Sequence, residues 1–436
     1  MSPKIHDFPL NILISFLLIN ISFSLKSSPI KLEFRKKNHF FTVPMTVGSN
    51  NQLFEVQVDT TTSETWLPSI NTTYKVQKYD PKSSSTCEIL SKEFDIDDED
   101  GNVRGNAIYD SVKIGSYSLD KFGLVLVHSY EQDFKDFPSG KLGLGYRHEH
   151  GVDFNWIGSL KAKGYIDKEI FTILPEEEQL VVGGVPPYLE GKNSSFCELV
   201  ETNDLDDVYR AGWVCELTHI FFGVNTEEKS LEMALEINAR VIFDSAYDYI
   251  SIPKRHLEDF NKNFLQEYYN DSCISIKENE ELYFICDDDN NKIQQGSIAF
   301  ILGGFGYVIP SNKLFKKIED DKYEMLIRFN KENDDIFSFG YPFTSQFIMA
   351  YNAEDKKVEF FGGDKIDVKK DWDTYMAGES PSQKKEKIIK LLIFGGILGS
   401  ILLIIIICLV VRSYKRRKMD SDIIQGNSMI KNEENH

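Results

Sequence analysis

Apolar and polar residues alternate over Phe54-Glu55-Val56-Gln57-Val58, and the run ends on Asp59. A period of two marks a strand with one buried face, so this stretch predicts a strand that carries a carboxylate at its end. Hydroxyl residues follow, Thr60-Thr61-Thr62-Ser63, and the chain leaves through Trp66 and Pro68. About 185 residues later Val241-Ile242-Phe243 ends on Asp244 and Ser245, and the chain leaves through Ile250-Ser251-Ile252-Pro253. Further along each half lies an apolar residue followed by glycine, in Ser139-Gly140-Lys141-Leu142-Gly143-Leu144-Gly145 and in Phe337-Ser338-Phe339-Gly340-Tyr341. Glycine lets another backbone pass close by, so a Gly-containing segment is expected to thread beside each Asp loop. Short runs of Val, Ile, Phe, Tyr and Thr, separated by turn residues, extend from near His39 to Gly363 and predict a mainly β protein. Two strand-end carboxylates in similar settings predict two lobes that bring their acids to one site.

The ends of the chain follow a different pattern. Lys4 and His6 precede an apolar stretch from about Phe8 to Phe23, with small residues at Ser22 and Ser24. This predicts a signal peptide over 1–24. A short basic segment, 25–38, is read either as a pro-region or as an exposed first strand. Residues 39–203 and 204–365 are expected to form the two β lobes, and 366–390 a juxtamembrane stalk. Leu391 to Val411 carries no charge and is long enough to cross a bilayer as a helix. The basic cluster Arg412, Lys415, Arg416, Arg417 and Lys418 opens a cytosolic tail, 412–436. Together these segments predict a type I, single-pass membrane protein of the secretory pathway, with its ectodomain lumenal or extracellular.

Composition narrows the function. The chain has 436 residues, 42% hydrophobic and 27% charged, with a formal charge of −19, which argues against nucleic acid as a partner. Asn71, Asn193 and Asn270 open glycosylation sequons in the expected ectodomain. Cys273 with Cys286 closes a short loop and is the preferred disulfide. Cys197 with Cys215 is a second candidate, which leaves Cys87 over. No metal is expected: His148-Glu149-His150 reads as a polar loop, because no third ligand follows at a metal-site spacing. There is no Gly-x-Ser-x-Gly elbow to anchor a serine hydrolase. Gly303-Gly304-Phe305-Gly306 reads as a hairpin turn, not a dinucleotide fingerprint.

Between about Phe40 and Gly363 the chain resembles the pepsin-like family of eukaryotic aspartic peptidases. Besides the two Asp loops, the resemblance rests on Tyr79-Asp80-Pro81-Lys82-Ser83-Ser84-Ser85-Thr86 and on a flap-like hairpin from Phe94 through Gly105 to Gly115. It rests also on Ser139 to Tyr146 and on the closing strands Phe343 to Phe361. It implies a bilobal β fold of two pseudo-symmetric lobes with a cleft between them, working as a monomer on a peptide or protein without a cofactor. It implies an Asp59/Asp244 dyad that activates a water, supported by Thr60, Thr62, Ser245 and Trp66, beneath a flap that includes Asp98 and Gly101. Two carboxyls held close cannot both ionise, so one is a base while the other keeps its proton.

Both loops depart from the family's Asp-Thr/Ser-Gly-Ser/Thr. Thr61 and Ala246 stand where it has glycine, and Tyr247 stands where it has a small hydroxyl residue. Asp98 takes the place of the flap tyrosine, among Asp97, Glu99 and Asp100. Thr62 is expected to bond the outer oxygen of Asp59, a role Tyr247 cannot fill for Asp244. Tyr247 and Tyr341 are read as a changed pair. The leading expectation is a membrane-anchored aspartic endopeptidase. The alternative is a catalytically impaired relative that binds peptides or proteins in the cleft.

Overall fold

The computed structural model describes residues 30–368 and 370, apart from 36–39, 99–100, 131–137, 149–150, 202–210, 225–232, 270–271, 279–280, 288–295 and 331–335. The described residues are mainly β and lie within one compact unit. An eight-stranded sheet comes from the first half and a twelve-stranded sheet from the second. A third sheet, of six strands, takes segments from both. In it Ile170–Leu174 runs antiparallel to Ile348–Asn352, with Phe171 opposite Tyr351. The closing strands therefore complete a sheet begun in the first half.

Among the described residues strand structure starts at Ile30, within the segment 25–38 for which an exposed first strand is one of two readings. Ile30 pairs with Leu180, and Ile30 and Leu32 are buried in the main core. Two apolar side chains in a basic segment are enough to add a strand to the shared sheet. The predicted signal peptide, membrane span and tail lie outside the described residues, as do Asn270 and the predicted stalk beyond 370. The start of that stalk is instead part of the fold, since Lys365–Asp367 is a strand paired with Phe305–Pro310 and Ile366 is buried. No helix among the described residues is long and apolar enough to cross a membrane.

The alternating run folds as read. Gln52–Asp59 is a strand, and Phe54, Val56 and Val58 are fully buried on its inner face. The strand Met233–Phe243 leads to Asp244 in the same way, and Val241 and Phe243 sit in the main core. Around Phe243 the core is aromatic, with Phe339, Phe343 and Phe360 against its ring. The flap-like hairpin is present: Glu88–Asp98 pairs antiparallel with Gly101–Ile114, and Asp98 is opposite Gly101. The side chain of Asp98 lies outside the described residues.

Buried Asp110 organises the segment that follows the first Asp loop. Its carboxylate accepts hydrogen bonds from the hydroxyls of Tyr79, Ser84 and Thr86 and from the backbone N–H of Ser111. A carboxylate this buried is tolerated because donors surround it. Both candidate disulfides form, Cys197–Cys215 and Cys273–Cys286. The second staples directly opposed residues of one hairpin. Cys87 is a free thiol, raised above the usual thiol range by burial and by the nearby Asp110 charge.

Candidate active site

Each Asp loop is gripped by the segment threaded beside it. Gln52–Asp59 runs parallel to Lys141–Gly143, which sets Gly143 against Asp59. Met233–Phe243 runs parallel to Ile336–Phe339, which sets Gly340 level with Asp244. The N–H of Leu144 donates to the Asp59 carbonyl at 2.7 Å, and the N–H of Asp244 donates to the Phe339 carbonyl at 3.1 Å. Both glycines are needed for close approach. A Cβ on Gly143 would lie 2.6 Å from the Glu64 carbonyl oxygen, and one on Gly340 would lie 2.3 Å from the Tyr247 carbonyl oxygen.

The two loops also hold each other. The Thr60 hydroxyl donates to the Phe243 carbonyl at 2.7 Å and accepts from the Ser245 N–H at 3.1 Å. The Ser245 hydroxyl donates to the Val58 carbonyl at 2.8 Å. These reciprocal bonds place the residues just before and just after each aspartate in contact with the opposite loop. Gln57 adds a bond from its amide to the Ala246 carbonyl at 3.0 Å. Thr60 and Ser245 thus sit where the sequence puts them, at the junction of the halves.

The two carboxylates have different partners. Asp59 Oδ1 accepts from the Thr61 N–H at 2.8 Å, the Thr61 hydroxyl at 2.6 Å and the Thr62 N–H at 3.3 Å. The hydroxyl that bonds Asp59 is therefore that of Thr61, not Thr62. The Thr62 hydroxyl turns to the Glu64 carbonyl instead, at 3.3 Å. The residue that replaces a glycine has taken over the work expected of its neighbour. Neither Thr61 nor Ala246 is among the described residues with positive φ, so the backbone accepts a side chain at both positions. Asp244 Oδ1 accepts from the Ala246 N–H at 2.7 Å.

Tyr247 points its hydroxyl to Glu281, 3.1 Å away, and stacks edge-on with Tyr249. Its link to Tyr341 is through the backbone, from the Tyr341 N–H to the Tyr247 carbonyl at 2.8 Å. Trp66 is buried in a small cluster with Phe94, Val103 and Val127, and its ring lies 5.9 Å from that of Tyr130. Asn71 and Asn193 are exposed.

Lys141 carries the largest difference between the halves, and sequence reasoning passed over it. Its Nζ lies 2.9 Å from Asp59 Oδ2, with side chains 2% and 0% exposed respectively. Burial alone would raise the Asp59 carboxyl. The attraction of Lys141 and the bonds from Thr61 outweigh that and hold it below the usual carboxylate range. The available signal was a lone lysine in the apolar run Leu142-Gly143-Leu144, inside a segment expected to thread beside an Asp strand. By register Ser338 is its counterpart in the second half, level with Ile242. It too is buried, and its hydroxyl has no hydrogen-bond partner among the described residues.

Comparison with known proteins agrees with this architecture. The family model described as eukaryotic aspartyl protease matches residues 40–361. The chain is similar to "Secreted aspartic protease 1" of Candida albicans strain SC5314, with 28% identity over 186 residues, covering 37% of this chain and 45% of that protein. It is also similar to "Candidapepsin-4" of strain WO-1, with 28% identity over 182 residues, covering 37% of this chain and 42% of that protein. The chain spans less than half the length of these curated relatives. The match over most of the chain, together with two interlocked Asp loops each threaded by a glycine segment, makes this chain a member of the eukaryotic aspartyl protease family.

Proposed function

We propose that the protein is a membrane-anchored aspartic endopeptidase that hydrolyses peptide bonds in the interlobe cleft with Asp59 and Asp244. The observation that carries this reading is the reciprocal bonding of the Asp loops through Thr60 and Ser245. Such a crossing is how two lobes can present two carboxyls to one water. Asp59, as the carboxylate, takes a proton from that water. The water oxygen adds to the peptide carbonyl carbon, and protonated Asp244 gives its proton to the carbonyl oxygen. Collapse of the tetrahedral species breaks the C–N bond, and the amine leaves with a proton returned from the dyad. The relatives' printed names, secreted proteases, support a secretory route, and the charge-free stretch 391–411 supports the anchor.

A second reading has its own observation. The Lys141 ammonium on Asp59 favours a cleft that binds peptide or protein without turning it over. A peptide-library digest separates the two, using purified full chain from acid to neutral pH beside Asp244→Asn. Cleavage that disappears in Asp244→Asn supports the peptidase. Binding without cleavage at any pH supports the second reading. Cleavage that persists in Asp244→Asn means another catalytic group and sinks the dyad.

A further inference from the structure

Lysine is almost never fully buried unless paired, and its ammonium is costly to remove from water. Lys141 lies between two strands of the first-half sheet, level with Gln57 on one side and Trp66 on the other. An apolar residue there would cost nothing in desolvation, and replacing a buried ion pair with apolar groups is often neutral or stabilising. Stability therefore gives no reason for a lysine at this position. Its effect on Asp59 does. Oδ1 is held by the three donors from Thr61 and Thr62, and Oδ2 by the ammonium. A carboxylate so held is a weak base, and neither oxygen is open to water.

We propose that Lys141 is a built-in brake on this site: its ammonium occupies Asp59 Oδ2, and turnover requires the ammonium to leave. The brake rests on the peptidase reading and adds its regulation. It needs no separate inhibitory segment, because the group belongs to the strand that threads beside the Asp loop. It is also one-sided, since the matching position of the second half is Ser338. Lys141 is thus a positioning residue that acts through Asp59.

The brake also has a sign with pH. While the ammonium compensates Asp59, the two aspartates repel each other less, and the proton they share is lost at lower pH. Without it the repulsion returns and the proton is held to higher pH. The other ionisable groups at the crossing are Glu64 on the same loop, Asp244, and Tyr351. The Tyr351 phenol is buried, bonds Thr60 and is pushed up by that burial and by Asp244.

The test compares the full chain with Lys141→Met, Lys141→Gln and Lys141→Arg. Peptide cleavage is followed against pH, and so is affinity for an uncleavable peptide with a secondary alcohol in place of the scissile carbonyl. The expected result is a rise of about tenfold or more in kcat for the neutral variants, with the alkaline limb of the profile moved upward by about one pH unit. The alcohol peptide should bind about tenfold more tightly to them, and Lys141→Arg should behave like the unmodified chain. If nothing is cleaved by any form but the alcohol peptide binds more tightly to the neutral variants, the peptidase reading fails and the brake on turnover falls with it, leaving only the ammonium's occupation of Asp59 Oδ2. If the unmodified chain cleaves, the peptidase reading stands and the brake is judged by the variants alone. Folded neutral variants with unchanged rate, profile and affinity overturn the brake. So does unfolding of both neutral variants while Lys141→Arg survives, which would identify a structural ion pair.

Discussion

The two Asp loops share a backbone plan and differ in what surrounds the carboxylate. Both strands end beside a glycine that could carry no Cβ, and both loops reach across to the other through one hydroxyl residue. Asp59, however, has three donors on one oxygen and an ammonium on the other, whereas Asp244 accepts from the Ala246 N–H and faces no lysine at the corresponding position. Close backbone packing fixes the pseudo-symmetry, because it depends on atoms every residue has. The side chains are free to break it. The Lys141 ammonium and the Thr61 donors thereby hold the Asp59 carboxyl below its usual range.

The sharpest break of this comparison is in activity. Asp59→Asn and Asp244→Asn should each lower cleavage by about 10³-fold or more, measured as kcat/KM on one peptide. Their stabilities should then separate. Asp59→Asn removes the carboxylate that lies 2.9 Å from the buried Lys141 ammonium, at a cost of about 3–5 kcal/mol in urea unfolding, whereas Asp244→Asn should cost less. Equal losses from the two variants would show that the asymmetry carries no weight.

The threading glycines come next. Gly143→Ala and Gly340→Ala each force a Cβ into backbone and should cost about 1–3 kcal/mol or more, read as a lower melting temperature. The crossing itself is worth less per bond. Thr60→Val removes a donor to the Phe243 carbonyl and an acceptor for the Ser245 N–H, so a loss of about 1–3 kcal/mol is expected, with a smaller one for Ser245→Ala.

The smallest effect concerns acid. The folded Asp59 carboxyl lies below its usual value, so its contribution is fully present above that value and is lost as pH falls through the folded one. Melts below about pH 4 should therefore show the unmodified chain losing stability more steeply than Asp59→Asn. Parallel acid arms would mean that Asp59 is not held low.

Much of this was legible in the sequence because it is local. Alternation over Phe54 to Val58 reports one buried face, and a carboxylate at a strand end followed by hydroxyls reports a loop. The glycines of Gly143 and Gly340 report close backbone approach. The hairpin joining Cys273 to Cys286 is short enough to read from spacing. What escaped depends on partners far away in the chain. Nothing near Lys141 tells that its ammonium meets Asp59, since periodicity places a side chain on a face but does not name what it touches. Thr61 and Thr62 differ only in which hydroxyl turns inward, and the backbone of the loop decides that. A strand at Ile30 was one of two readings of its basic segment, but its burial was not legible, because the side chains that cover Ile30 and Leu32 come from elsewhere in the chain.

The shared sheet has a consequence for biosynthesis. Ile170–Leu174 finds its neighbour only when Ile348–Asn352 exists, about 180 residues later. At about 5–20 residues per second, a ribosome needs on the order of ten to forty seconds to supply it. Throughout that interval the first half carries an open strand edge with full hydrogen-bonding capacity, which is a template for wrong pairing. A nascent chain of this protein therefore depends on prompt completion or on protection of that edge by a chaperone, and a chain stopped before Ile348 is expected to aggregate instead of surviving as a half-protein.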